Sequence, residues 1–117
     1  MSNETAPGLD DMLRAYRELA IAVGDISNPK RQNQRFDQLH AYYKKLRNTQ
    51  EGRDGIAQLM RDANPFVRLA AAAHSLDWRT EEARRVLEEL RDSDGEGAFT
   101  AKWTLKEFER GRLRFDF

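Results

Sequence analysis

The chain contains no cysteine. That excludes disulfides, thiolate nucleophiles and every metal site built on thiolate ligands. An excess of one charge is also missing, since Lys+Arg 20 stand against Asp+Glu 20 for a formal net charge of +0. A general nucleic-acid binder ordinarily carries a net basic footprint, and a charged disordered chain carries a large imbalance. No apolar run approaches the ~18 residues that a membrane span needs; runs such as Leu69–Ala73 are far shorter. The opening segment Met1–Gly8 has neither a basic n-region nor an apolar core. It reads as a frayed leader rather than a secretory signal, and a cytoplasmic protein is the expectation.

Catalytic constellations are scarce as well. The two histidines, His40 and His74, have no second histidine three or four residues away, whereas a zinc site normally needs three or four protein ligands. The pairs Asp37/His40 and His74/Asp77 share helix faces but lack further convergent partners. Adjacent carboxylates such as Glu81/Glu82 and Glu88/Glu89 point about 100° apart on a helix, so they do not meet at one substrate atom. Gly52-Arg-Asp-Gly55 and Gly95-Glu-Gly97 lack the spacing and the Lys-Ser/Thr of a phosphate loop. The expectation is a protein that is not an enzyme, with no catalytic residue, no metal and no cofactor.

What the sequence has is a helical pattern. Hydrophobic residues make up 39% and charged residues 34%, and 6 Phe, 3 Tyr and 2 Trp supply bulk for a core. Leu9, Met12, Leu13, Tyr16, Leu19, Ala20 and Val23 recur at helical spacing, with Gly24 as a stop. After Ser27-Asn-Pro29 a second helix is expected over roughly 30–48, with Phe36, Leu39, Leu46 and one of Tyr42 and Tyr43 facing inward. Gly52 and Gly55 read as a break before a short third helix marked by Ile56, Leu59 and Met60. Asn64-Pro65 reads as N-cap and first position of a fourth helix carrying Phe66, Leu69, Ala70, Ala73 and Leu76. Thr80 is placed to cap a fifth helix, with Glu81 and Glu82 in its first turn and Ala83, Val86, Leu87 and Leu90 inward. A sixth runs from about Gly97 to Arg110, with Ala98, Ala101, Leu105 and Phe108 on one stripe and Phe99 and Trp103 on a second. Gly111 ends it. No period-2 strand is convincing.

The second half also repeats. At an offset of 31 residues Ile56 falls on Leu87, Leu59 on Leu90, Asp62 on Ser93 and Ala70 on Ala101. Two helices per unit at this period describe stacked helical repeats, in which one pair cannot bury its apolar face alone. The segment Leu59-Met-Arg-Asp-Ala-Asn-Pro-Phe-Val-Arg-Leu-Ala-Ala-Ala72 resembles a short bacterial HEAT repeat, with an Asp, a Pro opening the second helix, Val-Arg and then small residues. In the next unit Gly97-Ala-Phe-Thr100 stands in place of Pro-x-Val-Arg. The whole chain, through Asn64-Pro-Phe-Val-Arg68 and Thr104-Leu-Lys-Glu-Phe-Glu-Arg-Gly-Arg-Leu113, is similar to the bacterial domain-of-unknown-function family numbered 2019. The resemblance implies a HEAT-like fold and no established activity. The expected architecture is all-α: residues 1–8 as a flexible leader and 9–117 as a single domain, a short right-handed α-solenoid of about three HEAT-like helix pairs.

Zero net charge hides an uneven distribution. Residues 28–48 hold six basic groups (Lys30, Arg31, Arg35, Lys44, Lys45, Arg47) against one acidic, Asp37. Residues 81–96 hold seven acidic groups (Glu81, Glu82, Glu88, Glu89, Asp92, Asp94, Glu96) against three basic. Both read as solvated helix faces, or as patches that steer a partner of opposite charge. Tyr42 and Tyr43 lie within the basic run and cannot both face the core. Trp78 and Trp103 are the interface candidates outside the core. Their competing placement has Trp78 capping a seam and Trp103 filling the last repeat, which the high average burial of Trp favours. Phe115 and Phe117 are placed to cover the open end of the stack. The candidate partner-binding set is therefore Lys30, Arg31, Arg35, Tyr42, Tyr43, Lys44, Lys45, Arg47, Trp78, Glu81, Glu82, Glu88, Glu89, Asp92 and Asp94. The leading expectation is a protein-binding domain, monomeric when free and not membrane-bound, of the immunity or antitoxin kind that blocks a bacterial toxin. The alternative is a helical-repeat nucleic-acid binder using the 28–48 segment.

Overall fold

The computed structural model describes residues 8–24 and 31–115. Among them are six α-helices and no strand. They are α1 (Leu9–Gly24), α2 (Gln32–Leu46), α3 (Gln50–Leu59), α4 (Pro65–Ser75), α5 (Thr80–Asp92) and α6 (Ala98–Glu109). The chain divides into two compact units at Gly55/Ile56, within α3. The leader, the 27–29 turn and Phe117 lie outside the described residues.

In the first unit α1 packs against α2. Tyr16 and Ala20 are the buried centre of α1, and Leu39, His40, Tyr43 and Leu46 are that of α2. The Gln32 side-chain amide donates to the Val23 carbonyl at 2.9 Å, tying the start of α2 to the end of α1. The expected inward Phe36 instead stands 43% exposed. Its place is taken by His40, which is buried and tilted against Tyr43 at 5.6 Å between ring centroids.

The expected break at Gly52 and Gly55 does not occur, because both glycines lie inside α3. Thr49 opens the helix, its Oγ1 accepting the Gly52 N–H at 3.0 Å as an N-cap hydroxyl does. A side chain at Gly52 would collide with the Leu46 carbonyl, so the residue permits close approach to the end of α2 rather than a turn.

In the second unit α5 packs against both α4 and α6. Asn64 caps α4 as expected, its Oδ1 accepting from Phe66 N at 2.8 Å and Val67 N at 3.3 Å, with Pro65 at the first position. The buried face of α4 is rotated from the expected one. Val67, Ala71 and Ala72 are wholly buried, while Phe66, Leu69, Ala70 and Ala73 are part-exposed. Along α5, Ala83, Leu87 and Leu90 face inward. Thr80 does not cap this helix: Arg79 is at the N-cap, and the Thr80 hydroxyl donates back to the Leu76 carbonyl at 2.6 Å. Gly97, at φ 90°, precedes α6, which buries Ala101, Thr104 and Leu105. The helix ends as the sequence indicates. Gly111 sits at φ 71°, and the N–H groups of Gly111 and Arg112 return to the carbonyls of Phe108 (3.0 Å) and Glu107 (2.8 Å) in a Schellman motif.

Candidate interaction surface

The basic segment sorts onto two flanks of α2, because residues three, four and seven apart share a helix face. Arg31, Arg35, Tyr42 and Lys45 follow that spacing along one flank, with Arg35 and Tyr42 part-exposed and Arg31 and Lys45 exposed. The Lys45 ammonium lies 5.5 Å from the Tyr42 ring centroid. Lys44 projects to solvent on the opposite flank. Tyr43 is 2% exposed and belongs to the core, so it does not offer itself to a partner. Arg47 covers its ring at 5.0 Å and accepts, through its carbonyl, a hydrogen bond from the Arg53 guanidinium at 2.7 Å. Lys44 and Lys45 also occupy the last turn of α2, where the helix dipole favours cations without any ligand. Lys30 lies outside the described residues.

Much of the acidic segment is internally paired. Glu82 meets Arg61 at 3.3 Å and Arg79 at 3.5 Å, and Glu89 meets Arg68 at 3.5 Å. Arg91 donates twice to Asp92, at 2.8 and 3.2 Å. That bond holds the Asp92 carboxyl below the usual carboxylate range and raises Arg91 further. Glu81, Asp94 and Glu96 are exposed and Glu88 half-exposed. Trp78 sits half-buried in the turn after α4, its backbone N–H bonded to the Ser75 carbonyl at 3.1 Å.

The histidines are used in packing. His74 is buried on α4, and Phe115 rests edge-on against its ring at 4.9 Å, so the C-terminal segment folds back over α4. Among the described residues no group of three His, Asp or Glu could hold a metal ion, and no helix is long and apolar enough to cross a membrane.

The most conspicuous surface joins Trp103, an interface candidate in the sequence, to Phe99, which was not one. On α6, Phe99 is 80% exposed and Trp103 53% exposed, one turn apart and opposite the buried Ala101 and Leu105. Trp103 does not fill the last repeat. Its place on the inner side is held by Thr104, whose hydroxyl bonds the Thr100 carbonyl at 2.8 Å, and by Phe108, with the Arg84 guanidinium 5.9 Å from its ring centroid. Beside the aromatic pair runs a second row, Lys102, Lys106 and Arg110, all exposed. The signal for this face is the second apolar stripe in the sequence, which the Ala98–Phe108 stripe leaves on the solvent side. Comparison of the chain with known protein families, with curated proteins and with solved structures found no match.

Proposed function

We propose that this chain is a non-enzymatic helical domain that binds another protein through the outward face of α6. The observation that carries the reading is the exposure of Phe99 and Trp103 side by side on a helix whose inner face is already packed. Large aromatics dominate binding hot spots, because they desolvate much area at little conformational cost. Among the described residues nothing in the second unit covers this pair, so a partner is the natural burial site. The 31-residue correspondence, which sets Ile56 and Leu87 at equivalent fully buried positions, supports a short right-handed HEAT-like solenoid as the framework. An immunity-type protein that blocks a toxin is the narrower form of the proposal, supported by small size and bipolar charge. The test is a benzoylphenylalanine photo-crosslinker at position 103 in the host cell, with the exposed Gln34 of α2 as the control position. A discrete adduct from position 103 alone supports the reading. No adduct, or equal labelling from both positions, overturns it.

A second reading has its own observation, the alignment of Arg31, Arg35, Tyr42 and Lys45 on one flank of α2. A cationic strip with an aromatic stacking platform suits single-stranded nucleic acid. Titration with a single-stranded oligonucleotide across a salt series tests it, and absence of binding at low salt removes it.

A further inference from the structure

We infer that the α6 face receives an acidic amphipathic helix of its protein partner, an inference that rests on the docking reading above. Two rows run along α6 at four-residue spacing, Phe99–Trp103 and Lys102–Lys106–Arg110. Rows of this spacing form the ridges that pack into the groove of another helix. The aromatic ridge supplies buried area and the cationic ridge beside it supplies charge. Neither Lys102 nor Lys106 makes an ion pair among the described residues. Among the described residues Arg110 has one long ion pair, to Glu107 at 3.9 Å. The cations are therefore available, and they select carboxylates on the flank of an incoming helix. The same geometry disfavours a flat anionic surface. Asp94 and Glu96 are exposed immediately before α6 and Glu109 is exposed near its end, so a membrane would meet carboxylates at both ends of the cationic row. A helix about 10–12 Å wide that crosses α6 at an angle meets the two ridges between these carboxylates.

Three fluorescent amphipathic peptides of about five turns test the inference. They share one leucine face and carry Glu, Gln or Lys on the flanks, and each is titrated with the full chain by anisotropy. The Glu peptide is expected to bind at least about tenfold more tightly than the Lys peptide at low salt. That advantage should shrink between about 50 and 500 mM salt. F99A/W103A should abolish binding, and K102E/K106E should reverse the order of the Glu and Lys peptides, with circular dichroism confirming that both variants are folded. Equal binding of the Glu and Lys peptides, or binding insensitive to K102E/K106E, overturns the inference. So does preference for phosphatidylserine vesicles, or occupation of the face by a second copy of the chain in sedimentation. Binding of the Gln or Lys peptide best, with loss in F99A/W103A, removes the acidic partner and keeps the docking face. No peptide binding together with no adduct from position 103 removes both.

Discussion

Replacing Gly52 with alanine should destabilise the protein, although helix propensity alone predicts the reverse. Glycine inside a helix costs about 0.8–1 kcal/mol relative to alanine, so relief of that cost is the only gain. Against it, the new Cβ would overlap the carbonyl oxygen, carbonyl carbon and Cα of Leu46. These are backbone atoms at the end of α2, and they cannot rotate away. Moving α3 outward would also stretch the 2.7 Å bond from the Arg53 guanidinium to the Arg47 carbonyl. Overpacking of this kind costs about 1–3 kcal/mol, with backbone contacts at the upper end. The net effect is a loss of about 1–2 kcal/mol, or roughly 3–8 °C in Tm. Gly55 is the internal control. There a Cβ meets Leu13 Cδ1 at 2.5 Å, the far end of a side chain that can turn. An adjusted rotamer costs about 0.5–1.5 kcal/mol, which the propensity gain nearly offsets, so G55A should stay within about 0.5 kcal/mol of the parent. Urea unfolding of the three proteins decides the matter. G52A as stable as the parent, or more so, would refute the close approach of α3 to α2.

Asn64→Ala should cost about 0.5–2 kcal/mol in urea unfolding, because two N–H groups of α4 lose their acceptor. A71L should lose about 1–3 kcal/mol by overpacking a fully buried site, and A70L much less; the opposite order would show that α4 presents the other face. Burial, and then the neighbouring Tyr43, push the Tyr16 hydroxyl well above its ordinary range. The folded state therefore keeps a proton that the unfolded chain releases. Stability is complete below about pH 10 and declines above it. Y16F should make that alkaline decline shallower in urea midpoints measured across pH, and an unchanged slope would contradict the burial of Tyr16.

The helical class was legible because each helix announces itself in several ways at once. Asn64-Pro65 is both a cap and a first-turn residue, and Gly111 closes α6 at the positive φ that glycine favours. The choice of face was harder. On α4 a run of small residues offers several nearly equivalent stripes, so packing against α5 selects Val67 and Ala71 in preference to Leu69 and Ala70. Gly52 misleads for a related reason: a residue chosen for close approach looks the same in sequence as one chosen for a turn. Thr80 misleads because its hydroxyl has a competing acceptor one turn back, the Leu76 carbonyl. The charged segments were read as solvated faces or steering patches, yet Glu82 and Glu89 have arginine partners, Arg61 and Arg68, that only the fold brings near. Trp103 was legible as an interface candidate but its exposed pairing with Phe99 was not, since an aromatic stripe in sequence does not say which side of the helix the core will take.

The exposure of Trp103 is the foundation of the functional account, and acrylamide quenching of its fluorescence measures it directly. In a W78F variant Trp103 is the sole indole. Its emission should lie near that of a solvated tryptophan, with quenching close to that of the urea-unfolded chain. Blue-shifted emission with quenching several-fold weaker in the native protein would mean that the α6 face is already covered, and would contradict the account.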